Sequence, residues 1–252
     1  EVFLAREMQD WGGFGIVVQA YQKRASYVID YLTDLAWNQR RRIPVRLVKG
    51  AYWDTEIKRY QERGLSGYPV FTRKTATDVS YLACARRMLA SRDAFYPQFA
   101  THNAYTVAAV LELAGDHSGY EMQKLYGMGD DLYEELYKQR QIDVPCRVYA
   151  PVGQHQDLLP YLVRRLLENG ANTSFVHRII NEEISVDDLV ADPAERMRAT
   201  HPKPHPKIPL PADIYLPQRK NSKGFNLDDR DALENLQLQL NHALSMTWTA
   251  SA

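Results

Sequence analysis

A chain of 252 residues with 45% hydrophobic and 25% charged residues has the make-up of an ordinary globular protein with a sizeable core. Lys plus Arg and Asp plus Glu are equal at 31 each, so no net charge argues for nucleic-acid binding. No apolar run approaches the ~20 residues that span a bilayer, no signal peptide is visible, and Cys84 and Cys146 lack metal-ligand or redox spacing, which reads as two reduced thiols in a cytosolic protein.

The chain does not begin with Met and opens in a helical pattern (Val2, Phe3, Leu4, Met8), which reads as a fragment of something longer. The first strand is predicted over Phe14 to Tyr21. A helix follows from Ser26, an expected N-cap, through Val28, Leu32, Leu35 and Ala36. The second strand spans Val45 to Tyr52 after Pro44, and its helix runs from Asp54 to Arg63 and stops at Gly64. A long helix over Thr75 to Ser91 should bury Val79, Leu82, Ala85 and Leu89. The third strand, Gln98 to His102 after Pro97, precedes a helix from Asn103 to Ala114 closed by Gly115. The fourth, Glu121 to Tyr126, leads through Gly127 and Gly129 to a helix from Asp131 to Gln139. The fifth, Cys146 to Ala150 after Pro145, precedes a helix from Asp157 to Asn169.

Five successive βα units imply a parallel sheet with helical crossovers. A doubly wound sheet and a barrel both fit. The G-x-G-x-x-G run of a dinucleotide-binding sheet is absent, since Gly13-Phe14-Gly15 and Gly127-Met128-Gly129 are too short. Beyond about residue 190 the sequence changes. Residues 191–225 read as a Pro-rich linker, with Pro202, Pro204, Pro206, Pro209, Pro211 and Pro217. Residues 226–252 read as a docking helix whose apolar face carries Leu233, Leu236, Leu240 and Leu244.

Polar residues stand at or just beyond the end of each predicted strand: Gln19; Lys49 with Tyr52; Thr101, His102 and Asn103; Gln123 with Lys124; Tyr149. In a barrel these ends converge on one rim, where function resides, although any one of them could be a satisfied structural group. Arg46, inside an apolar strand, needs an anionic or acceptor partner: a flavin's N1, O2 and N5, a phosphate, or a carboxylate within the barrel. Arg164 and Arg165 lie on a leucine-rich helix, as a carboxylate clamp or as a solvated basic face. His102 could serve as a base, a metal ligand or a cofactor's hydrogen-bond partner. No zinc spacing appears among the histidines, so no metal is expected, and there is no G-x-S-x-G nucleophile motif.

These residues carry a resemblance. Arg46-Leu47-Val48-Lys49-Gly50-Ala51-Tyr52-Trp53 resembles the fifth barrel strand of proline dehydrogenases, and Phe99-Ala100-Thr101-His102-Asn103 the sixth. Leu125-Tyr126-Gly127-Met128-Gly129 resembles the end of the seventh. Arg147 to Gly153, with Tyr161 to Asn172, resembles the eighth strand and helix. The match runs in order over roughly residues 10 to 190. It implies a (β/α)8 TIM-type barrel of which this chain supplies the last five βα units, residues 1–190. The strands before residue 1 would provide a substrate-side Lys and Asp.

The resemblance further implies FAD-dependent oxidation of L-proline to Δ1-pyrroline-5-carboxylate. Gln19, Arg46, Val48, Lys49, Gly50, Thr101 and His102 are then FAD contacts, assisted by Glu168, with Arg46 donating toward flavin N5. Arg164 and Arg165 pair with the proline carboxylate. Tyr52, Leu125 and Tyr149 wall the proline ring, and Arg46 and Tyr149 form the catalytic pair. The Pro-rich segment and last helix resemble the linker of bifunctional proline utilization A proteins, which continue into a pyrroline-5-carboxylate dehydrogenase domain. A membrane quinone as electron acceptor is implied too, as is a cytoplasmic protein in transient contact with the inner face of the membrane. Two readings compete: a barrel enzyme acting on a phosphorylated substrate, and an incomplete, non-catalytic barrel serving as a scaffold.

Overall fold

The structure, a computed structural model, describes residues 7, 11–140, 144–170, 185–247 and 249, with the backbone alone at 139–140, 167–170, 186 and 189. The helical opening read at Val2, Phe3, Leu4 and Met8 lies outside the described residues. In chain order the elements are β1 (Ile16–Gln19), α1 (Ala25–Asn38), β2 (Ile43–Val48), α2 (Trp53–Glu62), α3 (Lys74–Ala90), β3 (Phe95–Ala100), α4 (Ala104–Ala114), β4 (Glu121–Leu125), α5 (Asp130–Arg140), β5 (Cys146–Tyr149), α6 (His155–Gly170), α7 (Val186–Val190), α8 (Pro193–Ala199) and α9 (Arg230–Leu244). They fall into two compact units. The first holds the residues up to Ala51 with Phe71–Pro204, and the second holds Tyr52–Val70 with the residues from His205 onward.

In the first unit all five strands are parallel and pair in sequence order, β1-β2-β3-β4-β5. A doubly wound sheet reverses its order at a switch point. Unbroken order is that of a barrel wall, with every crossover returning over the same face. Burial agrees: Ile43, Val45 and Leu47 of β2 are fully enclosed, while Pro44, Arg46 and Val48 between them are only half-buried. The enclosed residues pack with Ile29 and Leu32 of α1, Met88 of α3, and Val107 and Val110 of α4. Each such apolar side chain contributes about 1.5–3 kcal/mol.

Pro44 and Pro97 lie inside strands, where a missing N–H is normally costly. Here β1 begins opposite Val45, and β4 begins opposite Gln98. Each proline therefore sits just below its neighbour's first rung. The expectations need adjusting at two helices. α1 starts at Ala25, so Ser26 is in its first turn and Arg24 is the N-cap. α3 buries Thr77, Tyr81, Cys84, Ala85, Met88 and Leu89, with Val79 and Leu82 on its half-buried flank.

In the second unit the Pro-rich stretch is held by named bonds. The Tyr68 hydroxyl donates to Pro209 O at 2.6 Å, and the Asn221 amide donates to Gln61 O and Pro211 O. α9 is capped by Asp229 and has no buried residue.

Candidate active site

The strand register divides the sheet's side chains between the helix face and the inner face. Val17, Arg46, Gln98 and Glu121 share one inner row, and Gln19, Val48, Ala100, Gln123 and Arg147 share the next. Leu125 and Tyr149 pair one step higher. The inner face is therefore polar at several levels, which an apolar parallel strand would not be.

Arg46 rises from the middle of β2. Its guanidinium carbon stands 4.3 Å from the centre of the Tyr149 ring on β5. Its Nε is buried and makes no hydrogen bond. A buried guanidinium donor without an acceptor is costly, about 1–3 kcal/mol or more. Among the described residues no acceptor is found for this Nε. Beyond β2 the chain turns at Gly50, whose φ is +135°; a Cβ there would stand 2.5 Å from the Tyr21 ring. Only glycine lets the backbone pass this close.

His102 follows β3. Its Nε2 accepts the Leu125 amide at 3.0 Å. An accepting Nε2 leaves the neutral ring's proton on Nδ1. Burial pushes the imidazole down from 6.5 to about 4, with further lowering from Arg165, Lys124 and Arg46. It is thus neutral near pH 7, a donor at Nδ1 and not a cation. The same influence shows that Arg46 of β2 and Arg165 of α6 lie within electrostatic reach of one ring. The Arg165 guanidinium also faces the Tyr161 ring at 5.4 Å, and Arg164 is half-buried beside it. Among the described residues no cluster of His, Cys, Asp and Glu could hold a metal.

Other predicted residues have different placements. Lys49 pairs with Asp78 of α3, on the helix side of the sheet, and its backbone O accepts from Tyr21 N just beyond β1. Lys124 pairs with Asp130 at the start of α5. Gln123 is buried and donates to Glu121, and Asn103 caps α4 by accepting from Thr106 N. Thr101 is buried, its hydroxyl accepting from Asn103 N. Gln19 and Val48 are half-buried neighbours in the register. Tyr52 opens α2 in the second unit, half exposed. The Glu168 side chain lies outside the described residues.

Sequence reasoning missed Glu121. Its carboxylate, with the side chain 2% exposed, accepts both Nε and a terminal nitrogen of Arg147 at 2.7 and 2.8 Å. It also accepts the amides of Gln98 and Gln123 and the hydroxyl of Tyr96. Burial pushes the carboxyl up, but the bonds from Arg147 and Gln123 outweigh that and hold it below its ordinary value. The available signal was the spacing Glu121-x-Gln123, which puts both residues on one strand face.

The proline dehydrogenase family profile matches residues 1–178. This chain belongs to the proline dehydrogenase family. It is 53% identical to the bifunctional protein PutA of Klebsiella aerogenes over 97% of its own length and 20% of that protein's. It is 33% identical to proline dehydrogenase 1 of Bacillus subtilis, over 67% of this chain and 49% of that one. A crystal structure of a bifunctional proline utilization A protein superposes with a TM-score of 0.87 at 54% identity, covering 99% of this chain and 25% of that chain. The chain thus spans about a fifth of the length of the PutA relatives it matches. Membership of the proline dehydrogenase family agrees with the partial TIM-type barrel seen in the strand order.

Proposed function

We propose that this chain forms the flavin- and proline-binding part of an FAD-dependent proline dehydrogenase that converts L-proline to Δ1-pyrroline-5-carboxylate. The observation that carries the reading is Arg46, a half-buried arginine whose buried Nε makes no hydrogen bond and whose guanidinium stacks on Tyr149. An orphaned cationic donor at a barrel rim fits a flat ring system that presents acceptor atoms. When bound, FAD supplies the acceptor for the hydride from proline C5.

The residues of the chain bind and orient. Arg46 would donate to the flavin ring near N5, held flat by the Tyr149 face. His102 would donate from Nδ1, since Leu125 N occupies its other nitrogen. Gln19, Val48, Gly50 and Thr101 line the same strand ends, and the backbone at Lys49 continues that lining. Glu168 would assist from α6. Arg164 and Arg165 would grip the proline carboxylate, and Leu125 and Tyr149, paired across β4 and β5, would wall the ring. Two guanidiniums fix a carboxylate's orientation as well as its charge, and that positions C5 for transfer.

Likeness to bifunctional PutA proteins supports a following pyrroline-5-carboxylate dehydrogenase domain and preceding barrel strands in the whole protein. A quinone acceptor reached by transient contact with the inner membrane surface is what the family resemblance of the sequence implies. Among the described residues no helix is long and apolar enough to cross a membrane. The phosphorylated-substrate reading predicts a colourless protein, and the scaffold reading predicts that Arg164 and Arg165 can be changed without functional loss. The test is to add proline to the intact protein and record the flavin absorption, which should bleach.

A further inference from the structure

Near the rim lies a buried hydroxyl to which the resemblance gives no role. Tyr133, in the first turn of α5, is 2% exposed. A phenylalanine would fill the same space. The hydroxyl must therefore find an acceptor or incur the cost of an unmet polar group. It donates to Thr101 O at 2.9 Å. Thr101 O belongs to the peptide that joins Thr101 to His102.

The same turn shapes the seat of the imidazole. Gly129, with φ at +72°, immediately precedes α5, and a Cβ there would lie 3.2 Å from His102 Cδ2. Tyr133 N donates to Gly129 O, and Leu125 N donates to His102 Nε2. The Thr101–His102 segment is thus held at its carbonyl and at its ring nitrogen, while Gly129 leaves room for the ring edge. The first of these holds comes from the Gly129–Tyr133 turn.

We infer that Tyr133 is a positioning residue, whose phenol fixes the Thr101–His102 peptide so that His102 presents Nδ1–H to the bound flavin. This rests on the flavin reading above. Tyr133 itself touches neither flavin nor proline; it acts through His102.

The test uses the intact protein stripped of flavin and titrated with FAD, followed by quenching of flavin fluorescence. Tyr133→Phe should keep the far-UV circular dichroism and weaken FAD binding about threefold to tenfold, the loss of one hydrogen bond's positioning. In a His102→Ala background the same substitution should change FAD affinity by less than about twofold, because the group it positions is gone. Gly129→Ala, which crowds the ring but keeps the phenol, should weaken binding likewise in the His102 background only. Wild-type protein that fails to bind FAD overturns the flavin reading itself. Wild-type binding with an unaffected Tyr133→Phe variant overturns the positioning role alone. So does an equal loss with and without His102, since that outcome makes Tyr133 merely structural.

Discussion

Replacing Arg46 with Met should weaken flavin binding while leaving the flavin-free protein about as stable as before. In the free protein two effects oppose. Stacking on Tyr149, with the guanidinium carbon 4.3 Å from the ring centre, is lost at a cost of ~0.5–2 kcal/mol. The buried Nε that lacks an acceptor is also removed, which returns ~1–3 kcal/mol. The two nearly cancel. In the loaded protein the stacking is lost as well, so it drops out of the binding difference. What remains is the charge-assisted bond to the flavin, ~1.5–3 kcal/mol, or roughly 10-fold to 150-fold in affinity. Arg46→Lys keeps the charge without the planar fork and should recover only part of it. Fluorescence titration with FAD measures the affinity, and denaturant melting of the flavin-free protein measures the stability. Unchanged affinity would refute the assignment. So would a loss of ~3–5 kcal/mol in the free protein, the mark of a broken buried ion pair.

Arg165→Met should raise KM for proline by tenfold or more while the flavin spectrum is retained, because a carboxylate clamp contributes mainly to binding; steady-state kinetics checks it, and an unchanged KM contradicts the clamp. His102 gives a pH dependence. Its folded value of about 4 lies below 6.5, so its contribution to stability is complete above about pH 6.5 and is lost as pH falls toward 4. That interval caps the loss at about 3 kcal/mol, and partial solvent contact of the ring reduces it to ~1–2 kcal/mol. Acid titration of wild type against His102→Gln should show a shallower decline in the variant. Glu121→Gln should destabilise the barrel unit by about 2–4 kcal/mol, since an amide cannot accept from Arg147 on both atoms; a melting temperature within a degree of wild type would contradict this.

The five βα units were legible because each announced itself twice, by a short apolar run and by a glycine or proline at its boundary. Sequential pairing then followed from the lack of any dinucleotide-binding turn. What the sequence hid was which face each polar residue takes. Lys49 and Lys124 stood at strand ends like the other rim groups, yet their partners Asp78 and Asp130 draw them to the helix side. Asp78 is 29 residues from Lys49, a distance at which local pattern carries no information. Glu121 read as the start of a strand, because its four neighbouring donors come from three strands and only Gln123 is nearby in sequence. Arg46 was readable from the opposite logic: a charge in an apolar strand must have a purpose. Among the described residues its buried Nε has no acceptor, which is in keeping with the flavin reading.

The most direct measurement is the visible spectrum of the intact protein before and after anaerobic addition of L-proline. A yellow protein whose flavin band fades on mixing, and keeps its colour with Arg165→Met at the same low proline concentration, is the expected result. A colourless preparation that takes up no FAD, or a yellow one indifferent to proline, would contradict the account.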